Sequence, residues 1–125
     1  MILGIGNDVL EVSRMAREVA KGGPFRPGEV FTAAELAYCD SQRYPARHLA
    51  ARFAAKEALY KALGTGAPTP GALGQVEVVR RAAGAPTLVL SGSARQAAAR
   101  RGVTRIFVSL AHTPTVASAV VVLEH

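Results

Sequence analysis

The sequence predicts a single α+β domain, with helices mainly in the first half and antiparallel strands mainly in the second. Two observations carry this prediction. Helix-capping residues and a first-turn proline occur before Gly64, and apolar residues alternate with period two after Gly74. At 125 residues the chain is long enough for one buried core, so we expect one domain over residues 1–125.

The chain opens with a predicted strand and a predicted short helix. Residues 2–9, ILGIGNDV, are an apolar segment that ends on an acid, which predicts a buried strand. Ser13 then caps a short helix that ends at about Gly22. Residues 24–31, PFRPGEVF, are rich in turn-forming residues and predict a connector.

Two further helices have clear start signals. Thr32 and Glu35 have the spacing of a capping box, which predicts a helix that reaches Cys39. A longer helix follows at residues 45–63, because a proline suits its first turn and Gly64 suits its end.

The second half of the chain changes to turns and strands. Residues 64–74 contain four glycines and two prolines, so we expect a mobile loop that is neither helix nor interior strand. The predicted elements that follow are two strands at 75–81 and 86–92, an Ala-rich helix at 94–101, and two strands at 103–112 and 115–125. Ser91 or Ser93 caps that helix, and Gly102 closes it.

Charge and composition narrow the classes of partner. The net charge of +6 and the pI near 10.3 indicate an acidic partner, and nucleic acid, phosphorylated small molecules and acidic proteins all qualify. Few aromatic residues and the absence of Trp disfavour nucleic acid without excluding it, and we expect no nucleic-acid partner. The lone Cys39, the lack of a secretory-type leader and the shortness of every apolar run predict a cytoplasmic protein without a membrane segment.

One acid on the first strand and one on the long helix are candidate metal ligands. Asp8 follows an apolar run, where a lone carboxylate must face solvent, accept hydrogen bonds or bind a cation. Mg²⁺ is commonly held by one or two carboxylates together with phosphates and waters. Asp8 and Glu57 would form such a site if the fold joined them. The alternative for Glu57 is a solvated ion pair with Lys61, one turn away.

Basic residues around Glu57 are candidates to offset phosphate charge. Arg52, Lys56 and Lys61 lie on the same predicted helix, and Gly64 would let the following loop pass close to a ligand. Each also has an ordinary explanation. Arg52 and Lys56 would form a solvated face, Lys61 would favour the helix dipole, and Gly64 would be a helix C-cap.

Five segments, in order and across nearly the whole chain, carry a family resemblance. They are GIGNDVLEVSR, FTAAELAYC, RFAAKEALYKALG, GAPTLVLSG and VSLAHT. Together they resemble the holo-acyl-carrier-protein synthases, the small trimeric type within the 4′-phosphopantetheinyl transferase superfamily. The resemblance implies an enzyme that moves the 4′-phosphopantetheine arm of coenzyme A to a serine of apo-acyl carrier protein. Adenosine 3′,5′-bisphosphate is the other product.

The resemblance also implies roles for individual residues. Asp8 and Glu57 ligate Mg²⁺, with Mn²⁺ as the alternative metal. Glu57 accepts the serine proton directly or through a metal-bound water, and Lys61 stabilises phosphate charge, so these three residues are the catalytic candidates. The coenzyme-binding candidates are Arg52, Lys56, Lys61, Gly64, Pro86, Ser109 and His112. His112 has the alternative of a merely structural strand-end residue.

A docking surface and an assembly follow from the same resemblance. Arg14, Arg17 and Lys21 share one helix face that would meet the acidic carrier protein, with Met15 as an apolar contact; the alternative is a solvated face. A homotrimer is implied, with active sites between protomers. Three positions depart from the family pattern, namely Tyr60 in the long helix, Leu73 in the region where a Trp is usual, and Ala111 before His112. A basic, non-catalytic binding module is the competing hypothesis.

Overall fold

The computed structural model describes residues 1–21 and 26–125, and the chain alternates between helices and strands. The elements are β1 (Ile2–Glu11), α1 (Val12–Lys21), α2 (Pro27–Val30), α3 (Ala33–Asp40), α4 (Pro45–Leu63), α5 (Pro70–Leu73), β2 (Val76–Arg80), β3 (Pro86–Leu90), α6 (Gly92–Arg100), β4 (Arg105–His112) and β5 (Val116–Glu124). The predicted α+β class, with helices mainly before strands, is confirmed.

The strands form two antiparallel sheets around one long helix. β1, β5 and β4 make a three-stranded sheet in that order, and β2 and β3 make a hairpin. Helix α4 packs across β1 and β5 on one face of the larger sheet, and it also contacts α1, α3 and β2. Because it has neighbours on so many sides, α4 is buried over much of its surface.

Two glycines of β1 allow α4 to lie very close to the sheet. A Cβ atom on Gly6 would come within 2.1 Å of the Ala58 carbonyl oxygen, and one on Gly4 within 2.3 Å of the Ala62 carbonyl oxygen. Any larger residue would therefore push the helix backbone away. The close approach sets the distance between the strand that carries Asp8 and the helix that carries Glu57.

Several predicted helix ends are confirmed. The Thr32 hydroxyl accepts a hydrogen bond from the Glu35 amide at 3.2 Å, and the Thr32 amide donates to Glu35 Oε1 at 2.9 Å, which completes the capping box. Helix α4 begins at Pro45 and ends at Gly64, whose φ of 72° is left-handed. The four strands predicted after Gly74 are all present with slightly shorter bounds.

The predictions for the N-terminal segment need correction. β1 continues to Glu11, so Asp8 lies inside the strand, and the strand is buried on one face only, with Ile5 67% exposed. Helix α1 starts at Val12, one residue before the predicted cap Ser13, because the Val12 amide already donates to Thr115 at the end of the sheet. The predicted helix end at Gly22 lies outside the described residues.

The two predicted connectors, at 24–31 and 64–74, each contain a helical turn. Within 24–31, the described part from residue 26 onward includes α2. Within 64–74, α5 forms because Thr69 accepts a hydrogen bond from the Ala72 amide and Leu73 is buried. The prediction of a loop without helix was therefore wrong there, since one cap and one buried leucine are enough to fold a single turn.

The cap of α6 comes from a distant residue. The helix begins at Gly92, and neither Ser91 nor Ser93 caps it with its own side chain. Instead, Gln75 Oε1 accepts hydrogen bonds from the Ala94 amide at 3.0 Å and from the Ser93 hydroxyl at 2.7 Å. Because Gln75 precedes the helix by a whole hairpin, sequence spacing could not have predicted this cap.

The face of the larger sheet that points away from α4 is apolar and exposed. Ile5, Val122 and Phe107 form one cross-strand row, and Val9 and Val120 are also exposed apolar residues of these strands. Across the described residues, no helix has both the length and the apolar character needed to cross a bilayer.

Candidate active site

Asp8 and Lys61 meet where β1 passes the last turn of α4. Lys61 Nζ lies 3.0 Å from Asp8 Oδ1 and donates to the Asn7 carbonyl at 3.1 Å. Among the described residues, this is the ion pair that Lys61 makes. The predicted alternative of a solvated Glu57–Lys61 pair is therefore wrong, because the lysine is taken up by the strand.

Glu57 lies one turn before Lys61 and close to the same strand. Burial raises the pKa of the Glu57 carboxyl above its ordinary value, and the charge of Asp8 raises it further, whereas Lys61 and Arg14 lower it. Lys61, which contacts Asp8, lies one helical turn after Glu57, so the fold places the two candidate carboxylates in the same region. Asp8, Glu57, Lys61 and Arg14 are named below as the carboxylate site.

The donor set of the carboxylate site fits a hard divalent cation. Two carboxylates that repel one another lose that penalty when a cation binds between them. The described residues contain no cluster of three or more His, Cys, Asp or Glu side chains that could hold a metal. Two oxygen ligands from the chain suit Mg²⁺, which takes its remaining ligands from phosphates and water.

Next to the carboxylate site, α1 carries a basic outer face. Arg14, Arg17 and Lys21 are exposed on this helix, as the spacing predicts. Met15 is only 2% exposed, so it lies beneath that face. Leu10, Arg14, Met15, Glu18 and Phe53 line a cavity of about 160 Å³ at its edge.

Lys56 has a structural environment that the sequence did not reveal. Its side chain is 0% exposed, and Nζ lies 2.7 Å from Glu35 Oε1 and donates to the carbonyls of Leu73 and Val76. Glu35 Oε2 in turn accepts from the Val78 amide. Lys56 therefore ties α3, α5 and β2 to α4. Both sequence-based roles for it, a solvated face and a coenzyme contact, conflict with this burial.

Arg52 belongs to a second group of charged residues, the cationic cluster, which consists of Arg47, His48, Arg52, Arg80 and His112. Arg52 is 3% exposed, so the solvated-face alternative is wrong for it too. Its guanidinium carbon lies 4.4 Å from the Tyr38 ring centre, and that of Arg80 lies 5.7 Å from the same ring. Within the described residues, Arg52 Nε is buried without a hydrogen-bond partner.

The cationic cluster and the carboxylate site lie on different sides of α4. His48 and Glu57 are nine residues apart, which is about two and a half helical turns, so they point in opposite directions. His112 contacts His48, and Pro86 pairs with Arg80 across the β2–β3 hairpin. Ser109, by contrast, pairs with Val120 on the face of the larger sheet that points away from α4, where it lines a cavity of about 380 Å³. The predicted coenzyme residues thus lie in several separate places on one chain.

Sequence reasoning missed the contribution of His48, Arg47 and Arg80 to the cationic cluster. His48 precedes Arg52 by one helical turn, and this spacing was the available signal.

Tyr60, noted as a departure from the family pattern, is buried and donates to the Ala72 carbonyl at 2.6 Å, so it holds α5 against α4. Burial raises the pKa of the Cys39 thiol to about 11, so this cysteine is an unreactive core residue.

A known protein family and its members are similar to this chain over nearly its whole length. The family model of the 4′-phosphopantetheinyl transferase superfamily matches residues 4–119. A holo-[acyl-carrier-protein] synthase of Anaeromyxobacter dehalogenans is 50% identical over 129 residues, covering 99% of this chain and 97% of that protein. Its counterpart in Geotalea daltonii is 41% identical over 124 residues and covers 99% of both chains.

Solved structures give the same answer at the level of the fold. The crystal structure of holo-[acyl-carrier-protein] synthase from Neisseria meningitidis has a TM-score of 0.87 at 31% identity and covers 100% of both chains. That of the synthase from Bacillus anthracis, in complex with CoA (3′,5′-ADP), has a TM-score of 0.78 at 30% identity, covering 98% of this chain and 96% of that one. The chain therefore belongs to the 4′-phosphopantetheinyl transferase superfamily.

Proposed function

We propose that the protein transfers the 4′-phosphopantetheine arm of coenzyme A to a serine hydroxyl of apo-acyl carrier protein, leaving adenosine 3′,5′-bisphosphate. The observation that carries this proposal is the carboxylate site, where β1 and α4 bring Asp8, Glu57 and Lys61 together. Full-length relatives with the name holo-[acyl-carrier-protein] synthase support it.

Asp8 and Glu57 would hold Mg²⁺, or Mn²⁺ in its place. When bound, the cation would offset the negative charge of the coenzyme diphosphate and polarise its phosphorus–oxygen bonds. Proton transfer and the stabilisation of the leaving group are carried out by side chains of the protein.

Glu57 is the proposed general base. It accepts the proton of the carrier serine, directly or through water, as the serine oxygen attacks the phosphorus of the phosphopantetheine arm. Because its pKa is raised, it holds a proton more readily than an ordinary glutamate. Lys61 then moves from Asp8 to the phosphate oxygens and offsets the charge on the departing bisphosphate.

The coenzyme would span two protomers. Its diphosphate lies at the carboxylate site of one chain, near Gly64, and its nucleotide end lies at Pro86, His112 and Arg52 of a neighbour. The opposite directions of Glu57 and His48 on α4 support this division, because one chain alone does not bring both groups to one side of the helix. The exposed apolar sheet face would join the copies, in a homotrimer.

The acidic carrier protein would dock on α1. Arg14, Arg17 and Lys21 supply the positive charge, and the cavity above Met15 accepts an apolar side chain of the carrier. Arg14 also lowers the pKa of Glu57, which places it near the carboxylate site. Docking would therefore bring the carrier serine to the proposed base.

Mass spectrometry tests the proposal directly. The protein is mixed with apo-acyl carrier protein, coenzyme A and Mg²⁺, and we expect the carrier to gain the mass of one phosphopantetheine arm. Asp8→Ala and Glu57→Ala should abolish the gain but retain carrier binding, whereas Arg14→Glu should chiefly weaken docking. Carrier binding by the wild type without any mass gain would instead support a non-catalytic binding module.

A further inference from the structure

The ring of His48 lies between two other rings of the cationic cluster region. It meets His112 edge-to-face, with ring centres 4.9 Å apart at 64°, and meets Tyr38 at 5.9 Å and 75°. His48 is half-buried on α4, whereas His112 is exposed at the end of β4. His48 therefore packs against the exposed His112 ring. The His48 ring is itself in contact with the Tyr38 ring of α3.

Within residues 1–21 and 26–125, the charged groups that act on His48 are cationic. Burial lowers the pKa of His48, and His112 of β4, Arg52 and Arg47 of α4 and Arg80 of β2 lower it further. In the described part of the chain, none of these three arginines takes part in an ion pair. The buried Arg52 Nε also has no hydrogen-bond partner there. This concentration of positive charges outside ion pairs is suited to an anion with several acceptor oxygens.

We propose that His48 is a positioning residue that orients His112 for a phosphate monoester and, by taking up a proton when that phosphate binds, makes the binding tighter in acid. The inference rests on the proposed function, in which the 3′-phosphate of coenzyme A lies at this cluster. The His48 imidazole, which contacts a second imidazole and lies among three guanidinium groups, resists protonation until an anion offsets their positive field. Binding and proton uptake are then coupled by linkage.

Calorimetric titration with adenosine 3′,5′-bisphosphate, between about pH 5.5 and 8.5, tests this coupling. Each pH is measured in two buffers of different ionisation enthalpy, so that proton uptake is obtained separately from affinity. The variants are His48→Phe, which keeps an aromatic edge without a titratable group, and His48→Ala, which removes the support of His112.

At the alkaline end of the pH range, we expect His48→Phe to bind the bisphosphate with an affinity within about twofold of wild type. At the acidic end, its affinity should be about three- to tenfold lower than that of wild type. The number of protons taken up on binding should be smaller in His48→Phe than in wild type, because His48 no longer takes one up. The protons taken up by the phosphates of the ligand should be the same for both proteins. His48→Ala should bind more weakly at every pH. Full proton uptake in His48→Phe, wild-type affinity in His48→Ala, or no binding of the bisphosphate would overturn the inference.

A kinetic split separates this inference from the proposed function. If the protein transfers the arm, His48→Phe should raise KM for coenzyme A towards acid and leave kcat unchanged. If His48→Phe transfers the arm and its KM for coenzyme A varies with pH as in wild type, the proposed role of His48 is wrong and the proposed function still holds. If the protein binds the bisphosphate with proton uptake that depends on His48 but transfers no arm, the inference about His48 holds and the proposed function is wrong.

Discussion

Glu57 is held in a state that favours protonation, and this has a cost for the free protein. Burial and the charge of Asp8 raise its pKa in the folded protein above the ordinary value. The folded form therefore binds the proton more tightly than the unfolded chain does. The stabilisation is complete below the ordinary pKa of a glutamate and is lost as pH rises through the raised pKa.

Glu57→Gln should for this reason stabilise the metal-free protein at neutral pH. The expected gain is small, on the order of 0.5 kcal/mol, because the carboxyl is only partly buried. It should vanish at the acidic end, where Glu57 is protonated in both states. Thermal melting in the presence of a chelator, from about pH 4 to 8, measures it. Glu11→Gln on the exposed end of β1 is the control, and a Glu57→Gln protein less stable than wild type at neutral pH contradicts the argument.

Lys56 and Glu35 are a buried pair in which each group depends on the other. Lys56→Met keeps the length of the side chain but leaves the Glu35 carboxylate buried without its cation, so we expect a loss of about 3–5 kcal/mol in the free energy of unfolding. Urea denaturation measures it. Lys61→Met is the matched control, because the exposed Lys61–Asp8 pair should contribute about 1 kcal/mol or less. Equal losses in both variants would show that burial of Lys56 has no special consequence.

At the scale of elements, the contact between β1 and α4 decides whether a site exists. Asp8 and Glu57 lie on different elements, and the two backbones approach each other at Gly4 and Gly6, where no Cβ atom separates them. The same contact buries Ala58 and Ala62 of α4. Fold and site therefore depend on the same two small positions of the first strand.

Gly6→Ala should displace α4 from β1, since its Cβ would lie 2.1 Å from the Ala58 carbonyl oxygen. We expect a destabilisation of about 1–3 kcal/mol or more, together with loss of transfer activity. Gly71→Ala in α5 is the control, because a Cβ there meets nothing within 4 Å. Urea denaturation and the mass-spectrometric transfer assay are run on both variants. Wild-type activity in Gly6→Ala would show that the site tolerates a wider separation than the structure indicates.

At the scale of the whole molecule, the face of the larger sheet that points away from α4 exposes apolar side chains to solvent. It presents Ile5, Val9, Phe107 and Val120 to solvent on three adjacent strands. An apolar face of this kind is typical of an interface between copies of a chain. In the proposed trimer it would also bring the cationic cluster of one copy towards the carboxylate site of the next.

Phe107→Lys should therefore dissociate the assembly. Light scattering coupled to size-exclusion chromatography should give a trimer for wild type and a monomer for the variant, with transfer activity lost while the circular dichroism spectrum is retained. Val89→Lys is the matched control, since Val89 is likewise 50% exposed but lies on the β2–β3 hairpin. A trimeric, active Phe107→Lys protein would exclude this face as the interface.

Local signals were sufficient for much of the fold. The capping box at Thr32, the proline that opens α4, the glycine that ends it and the alternation of the last strands act over a few residues, so the sequence alone determined these elements. The family segments likewise singled out Asp8, Glu57 and Lys61 as candidates. What they could not supply was the partner of each charge.

Those partners were decided by tertiary structure, because the free energy of a charged side chain depends on neighbours that are distant along the chain. Lys61 pairs with Asp8 rather than with the glutamate one turn away, and Lys56 is buried against Glu35 instead of facing solvent. His48 acquires its role only where α4 meets the end of β4. Burial and long-range electrostatics thus chose among alternatives that residue spacing left equal.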